Sequence, residues 1–432
     1  MKKKILVLLM LIISLITNVI GQKILTLKEC YDMAYAAAPL AGEKDTYKDI
    51  WQLRDKNLSR SWLPTLDANG SIIYNSSVVD MTDVLGSLPV PGIADLIQPL
   101  PHEQYKVTLD INQMIYDGGA IRSTRALEQA DFNINEKQTE TDLYKLRGQL
   151  NSLYFNLLLL DRQRELLQNY LVLIKKRISS MNSALAGGVI LKSDMDVLLS
   201  ERIKLEQQLC ENETRKASVL KILSDLTDST IDDSTEFVIP GAGANLTDEL
   251  TRPELLIFDL RKEQLNASRQ LIQSKRMPKA FGFATLGYGN PPGSNFFKDE
   301  FAPYYIIGAG VRWNIFDWNK TKNEKQVVTL HQSIIESRET DMMDNLKRLL
   351  DAKSSEISSI EALLKTDTEL IELRKRITSA AESQYENGTI TVTDYLIELN
   401  SEKQAIINYE MHKINLVLAR VEYLNISGKE IE

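Results

Sequence analysis

The sequence predicts a mainly α-helical chain, built as two copies of one pattern, that also carries four β-strands of a length suited to a bilayer. Three observations predict this: an internal repeat, two long stretches free of proline, and four short segments whose side chains alternate apolar and polar. Pro39, Pro64 and Tyr74 correspond to Pro253, Pro278 and Tyr288, a spacing of 253 − 39 = 214. Ile111, Ile115, Asp117, Gly188 and Asp194 correspond instead to Val311, Ile315, Asp317, Gly388 and Asp394, a spacing of 311 − 111 = 200. The difference of 14 falls between Tyr74 and Ile111, where Pro89, Pro91, Gly92, Pro99 and Pro101 gather. A repeat that changes length in one place marks a surface loop there.

The 432 residues are read as one pseudo-symmetric unit rather than two or three independent domains. At the start, Lys2-Lys3-Lys4 precede the apolar run Ile5 to Ile16 and then Gly21, the three regions of a secretory signal over residues 1–21. A membrane anchor is the other reading, but the run is shorter than the ~20 residues a spanning helix needs. Loss of the three lysines takes the formal charge from −8 to −11, an acidity that argues against a nucleic-acid partner. Average apolar and charged fractions give no sign of a helical membrane protein.

The first copy is expected over 22–226, with strands at about 64–76 and 104–116. In the second of these, Tyr105, Val107, Leu109, Ile111, Gln113 and Ile115 alternate with Lys106, Thr108, Asp110, Asn112, Met114 and Tyr116, the period of a strand with one apolar and one polar face. Residues 227–252 connect to the second copy, 253–432, whose strands fall at about 278–290 and 304–316. There Ala280, Gly282, Ala284, Leu286 and Tyr288, and then Tyr305, Ile307, Ala309, Val311 and Trp313, form the apolar sides. Phe281 and Phe283 interrupt the polar side of the third strand. Each segment has the ~9–11 residues of a tilted bilayer strand. Aromatic residues close the apolar faces at Tyr74, Tyr105, Tyr288, Tyr305 and Trp313, with Trp62 and Trp318 just outside, as at a membrane interface. A soluble sandwich also alternates, but no further strands are visible to complete one. Four strands leave two edges whose amides hydrocarbon does not tolerate unpaired, so other chains must complete the sheet. Three copies, with twelve strands, are the smallest number that leaves a water-filled bore, which makes the expected assembly a homotrimer.

All twelve prolines lie outside 102–239 and 304–432. Helical hairpins are expected at about 120–226 and 320–426, with apolar steps such as Leu143, Leu146, Leu150, Leu153, Leu157 and Leu160. A rod of about 65 residues is ~100 Å long. The hairpin tips are expected at 185–194 and 385–394, where Gly188 and Gly388 end one helix and Ser193/Asp194 and Thr393/Asp394 cap the next. Capping accounts for these carboxylates. In a ring of three chains they would also recur around an axis, and an acidic ring at a constriction favours cations. Cys30 and Cys210 are read as buried small apolar residues, and a disulfide between them stays open. His102, His331 and His412 share no ligand-like spacing, so no metal, cofactor or catalytic residue is expected.

Taken in order, these residues resemble the TolC family of outer-membrane efflux proteins. The resemblance rests on Leu25-Thr26-Leu27-Lys28-Glu29-Cys30, Ser61-Trp62-Leu63-Pro64, Ile115-Tyr116-Asp117-Gly118-Gly119, Val311 to Asp317, Tyr385-x-x-Gly388 with Thr393-Asp394, and Asn425-Ile426-Ser427-Gly428. It implies a trimeric twelve-stranded β-barrel in the outer membrane that continues into a long α-helical barrel in the periplasm. It also implies two partners, a periplasmic adaptor (membrane fusion) protein and an inner-membrane transporter of the RND or ABC type. The duct would serve a tripartite efflux pump or a type I secretion system. Family members close the periplasmic end with basic, tyrosine and acidic side chains near the second tip. Tyr385 and Asp394 match, whereas Ile390 and Ile397 stand where a base and a second acid would be, which brings Lys192, Asp194 and Asp196 of the first tip into consideration. The site residues expected at the tips are therefore Asp394, Tyr385, Gly388, Asp194, Gly188 and Lys192. The rival reading, a secreted coiled-coil structural or adhesive protein, uses the rods but leaves the alternating strands unexplained.

Overall fold

The computed structural model describes residues 24–78, 101–186, 190–241, 247, 249–295 and 298–431. The expected signal segment 1–21, most of the long loop including Leu85, Leu88, Ile93 and Leu96, and Gly188 lie outside them. The chain divides into two compact units, one of residues 1–43, 137–256 and 339–432 and one of residues 44–136 and 257–338.

The elements in chain order are β1 (Ile24–Leu25), α1 (Leu27–Ala37), a short 3-10 turn (Pro39–Gly42), α2 (Glu43–Arg60), β2 (Thr65–Tyr74), β3 (Glu103–Tyr116), α3 (Ala120–Ala186), α4 (Lys192–Thr227), β4 (Glu236–Phe237), α5 (Pro253–Ser274), β5 (Lys279–Asn290), β6 (Ala302–Arg312), α6 (Lys320–Glu386) and α7 (Val392–Ser427). The duplication is exact in length: α3 and α6 have 67 residues each, α4 and α7 have 36 each. The repeated aspartate before each long helix has a local task. The Asp117 carboxylate accepts the N–H groups of Gly119 and Ile121, and Asp317 accepts that of Thr321 at 3.0 Å, so each satisfies amides that a helix start leaves unpaired.

In the unit of 44–136 and 257–338, a four-stranded antiparallel sheet runs in the order β2-β3-β5-β6. Its register repeats with the sequence: Leu66 lies opposite Ile111 in the first copy, and Ala280 lies opposite Val311 in the second. One face carries Leu66, Ile72, Val107, Leu286, Ile307 and Val311, which are 62, 78, 64, 51, 75 and 72% exposed. Among the described residues, β2 and β6 are edge strands without a partner on their outer sides. The fourth strand stops at Arg312 rather than at 316, because Lys279, opposite Arg312, is the first residue of β5 and offers no further backbone to pair. Beyond it the Trp313 indole donates to the Arg276 carbonyl at 3.0 Å.

The other face explains the two phenylalanines that break its polar pattern. Phe283 lies opposite Gly308 and Phe281 opposite Gly310. A Cβ on either glycine would sit 2.5 or 2.6 Å from the facing ring, so each phenyl lies flat across its glycine and fills the place of the missing side chain. Tyr304 covers Gly287 in the same way. The β2–β3 half of this face is hydrophilic, with Asp110 accepting from Asn69 (2.7 Å), Thr108 (3.0 Å) and Thr285 (2.6 Å).

The other unit packs helices around a core formed by α1, α3, α4, α7 and the parallel β1–β4 pair, including Leu27, Tyr31, Leu150, Tyr154, Leu157, Leu223 and Ile414. Thr26 caps α1 reciprocally with Glu29. The fully buried Tyr154 hydroxyl joins β1 to β4 through the carbonyls of Leu25 (2.8 Å) and Val238 (2.7 Å) and the Val238 amide (3.0 Å). Cys30 is buried here, but Cys210 is exposed on α4 and the two form no disulfide, which corrects the expectation that both are core residues.

Candidate functional site

The tips of the helical hairpins are held by an apolar cluster of Leu167, Ile174 and Met181 from α3, Met195 and Leu198 from α4, Ala381 from α6, and Val392, Tyr395, Leu396 and Leu399 from α7. Onto it fold the side chains of Tyr385, Ile190 and Ile390. Ile390 thus serves packing at the position where a base was expected, and Ile397 is 57% exposed.

The second turn has a two-bond helix end. The Gly388 amide donates to the Tyr385 carbonyl and the Thr389 amide to the Gln384 carbonyl, both at 2.9 Å, with Gly388 at φ +70°. This pairing needs a left-handed residue, and glycine adopts that conformation without a Cβ penalty. The return helix then begins at Thr391, not at Thr393/Asp394: Thr391 has extended dihedrals and its hydroxyl accepts the Asp394 amide at 3.2 Å. Asp394 returns the bond, its carboxylate accepting the Thr391 amide at 3.1 Å and hydroxyl at 2.7 Å. Hydrogen bonds from the Thr391 side chain and backbone hold the Asp394 carboxyl below the usual carboxylate range. The charge is nonetheless exposed.

The first tip is the same motif with one half missing. The Asp194 carboxylate accepts the Leu191 amide at 3.1 Å, but leucine at the cap has no oxygen to return. Ser193 is therefore not the cap either. Lys192 is exposed at the first position of α4.

Tyr385 stacks on Tyr395, with ring centroids 5.7 Å apart and planes at 16°, and its hydroxyl points to the Met181 sulfur at 2.9 Å. Burial raises its phenol, with Arg177 opposing and the negative charge of Asp194 adding to the shift. The charge of Asp194 on the first tip thus adds to the field at Tyr385 on the second, while Asp394 is engaged by its own cap. Arg177 was missed in the sequence. Its guanidinium pairs with Glu382 and with Glu386 at 2.9 Å and lies 5.4 Å from the Tyr395 ring, joining α3 to α6 and α7. The available signal was Glu382 and Glu386 at a spacing of four, one helical face with two like charges awaiting a cation. A second junction, between α4 and α7, holds Lys403 and Glu201 at 3.5 Å with side chains only 9% and 12% exposed.

Among the described residues no helix is long and apolar enough to cross a membrane, and no cluster of His, Cys, Asp and Glu could hold a metal ion.

Comparison with known proteins agrees with this geometry. Residues 57–208 match the family model described as outer membrane efflux protein. No curated protein sequence matches the chain. Among solved structures, the CusC structure covers 94% of this chain and 92% of its own at 11% identity and a TM-score of 0.69. The Campylobacter jejuni CmeC outer membrane channel covers 94% and 86% at 16% identity and a TM-score of 0.64. The open-state MtrE outer membrane channel of Neisseria gonorrhoeae covers 93% and 89% at 15% identity and a TM-score of 0.65. At these identities the likeness is one of fold, and it extends over nearly the whole chain. The match to the efflux-protein family thus holds in sequence over 57–208, and the fold is shared with these channels over nearly the whole chain.

Proposed function

We propose, from the efflux-protein match in the first copy and a fold shared with outer-membrane channels, that this chain is one protomer of a homotrimeric outer-membrane exit duct. The observation that carries the reading is the sheet: one apolar face open to the surroundings, bounded by two edge strands without partners. Hydrocarbon satisfies the first condition and neighbouring copies the second. Three chains give twelve strands, with the polar face of each sheet turned to the bore. The helical hairpins form the periplasmic stem, whose tips meet a periplasmic adaptor, and an inner-membrane transporter of the RND or ABC type supplies the energy. Transport through the duct is passive and involves no chemistry on the cargo. The tip residues Asp394, Tyr385, Gly388, Asp194, Gly188 and Lys192 belong to its periplasmic gate.

The internal repeat supplies the register between copies. Within the chain Ile111 of β3 lies opposite Ala284 of β5. Moving each partner to its counterpart, 111 + 200 and 284 − 214, puts Val311 of β6 opposite Gly70 of a neighbour's β2. Cysteines at Val311 and Gly70, in a background with Cys210→Ser, should oxidise to a covalent trimer ladder on a denaturing gel, while a Val311/Ser71 pair should not. A monomer soluble without detergent, uncrosslinked by either pair, rejects the assembly. The gate is tested separately in planar bilayers with Asp394→Asn, which keeps the capping oxygen and removes the charge. Cation preference should weaken; unchanged conductance and selectivity take Asp394 out of the gate.

A further inference from the structure

On the polar face of the sheet, at the end where β5 begins, Lys279 and Arg312 lie directly opposite each other in the β5–β6 ladder. Like charges at opposed positions repel, and such pairs are ordinarily separated or neutralised. Here neither side chain has a carboxylate partner among the described residues; the Arg312 guanidinium lies 5.9 Å from the Phe281 ring. Of the acids on this face, Asp110 pairs with Thr285, six residues along β5 from Lys279 or about 20 Å at the rise of a strand, and Asp67, opposite Asp110 on β2, accepts the Thr65 hydroxyl at 3.4 Å.

The two cations line a cavity of about 380 Å³ together with Thr65, Asn112, Met114 and Phe281, among others. Two features of the sheet shape its surroundings. Phe281 lies flat over Gly310, and the ladder slips by one residue between Met114 and Tyr116, a bulge that opens the strand pair beside it. The lining thus combines a phenyl and a thioether, the polar groups of Thr65 and Asn112, and two positive charges without a carboxylate partner among the described residues.

We propose that this cavity binds a small amphiphilic anion, with a carboxylate, sulfonate or phosphate head on Lys279 and Arg312 and an apolar body on Phe281 and Met114. The site stands on the sheet of one chain; only its place on the inner wall of a barrel rests on the function proposed above. It would give the duct a low-affinity station for anionic amphiphiles on the wall they pass.

The test uses the purified full-length mature protein in a neutral detergent and 2-naphthalenesulfonate as probe, with 2-naphthol and a naphthyl ammonium as uncharged and cationic controls. Calorimetry should show saturable binding of the sulfonate alone, weakening as salt rises. Lys279→Gln and Arg312→Gln should each lower affinity by about tenfold, the usual weight of a hydrogen bond to a charged group. Phe281→Leu should lower it less. A competing arm adds phosphatidylglycerol to the micelles: displacement of the probe assigns the head group to a lipid, and no displacement assigns it to a soluble solute. Removing one of two repelling cations should leave the thermal midpoint of the empty protein unchanged or raised. Equal affinity in the double variant overturns the site. So does a lowered midpoint in Lys279→Gln, which loses no ring contact and would fall only if another group already neutralised the lysine. Lost binding with intact bilayer conductance leaves the channel standing and confirms the site's residues. Intact binding without conductance refutes the duct and not the site.

Discussion

Replacing Arg177 by alanine removes one side chain that touches three others across two helices. Its two ion pairs reach Glu382 and Glu386, whose side chains are 41% and 59% exposed, so water screens each pair to about 0.5 kcal/mol. The guanidinium also faces the ring of Tyr395, which is 2% exposed, and a cation over a desolvated ring adds about 1 kcal/mol. The glutamates left behind are hydrated, so no orphaned buried charge enlarges the loss. The sum is about 2 kcal/mol, or about 30-fold in the equilibrium between a packed and a loosened tip. Amide hydrogen exchange over the second turn and the start of α7, residues 385–397, reads this directly. Arg177→Ala should accelerate exchange there about 30-fold, and the Glu382→Gln/Glu386→Gln pair, which keeps the stacking, about fivefold. Equal exchange in Arg177→Ala and the parent protein would refute the reasoning, since it would mean that the apolar cluster alone holds the tip.

Two further outcomes follow from buried charge and from backbone geometry. Burial pulls the Lys403 ammonium below its ordinary value, with Glu201 opposing, so this pair costs desolvation on both sides; Lys403→Met with Glu201→Leu should leave the unfolding midpoint level or add about 1–3 kcal/mol, whereas Glu201→Leu alone should cost about 3 kcal/mol by leaving the lysine unpaired. Gly428 has φ +90° and an added Cβ would lie 2.5 Å from the Arg252 amide nitrogen, so Gly428→Ala should cost more than the ~1–2 kcal/mol of a left-handed alanine and lower the same midpoint.

Much of the fold is legible in the sequence because both periodicities are strong. Proline is confined to the breaks, so the 67-residue helices could be bounded from composition, and the strands show a period of two over ten or more residues. What escaped is what depends on partners in other elements. Phe281 and Phe283 look misplaced until the register sets them against Gly308 and Gly310. The helix start at Thr391 rather than Thr393 was hidden because Thr391, Thr393 and Asp394 are all acceptable caps by type, and only the returning bond from Asp394 decides between them. Arg177 lies 205 residues from Glu382, and no spacing rule reaches that far. Cys210 faces outward on a helix whose apolar stripe is narrow, so residue type alone misplaced it.

The duplication also shows where the two copies have stopped being equivalent. Adding or subtracting 200 gives Ile377 as the counterpart of Arg177, and Asn182 and Ala186 as counterparts of Glu382 and Glu386. The clamp therefore joins the first copy's long helix to the second copy's tip within one chain, and the repeat has no second version of it. In a closed ring built from this chain, junctions alternate between one within a protomer, which carries the arginine, and one between protomers, where the counterpart of the arginine is Ile377, 43% exposed. The first tip, with leucine at its cap, also lacks the reciprocal bond that Thr391 gives the second. Loosening the tips of such a ring costs least where the clamp is absent. In the assembly proposed above, the junction between chains would then part first, and each protomer's second tip would move with the α3 helix to which Arg177 ties it.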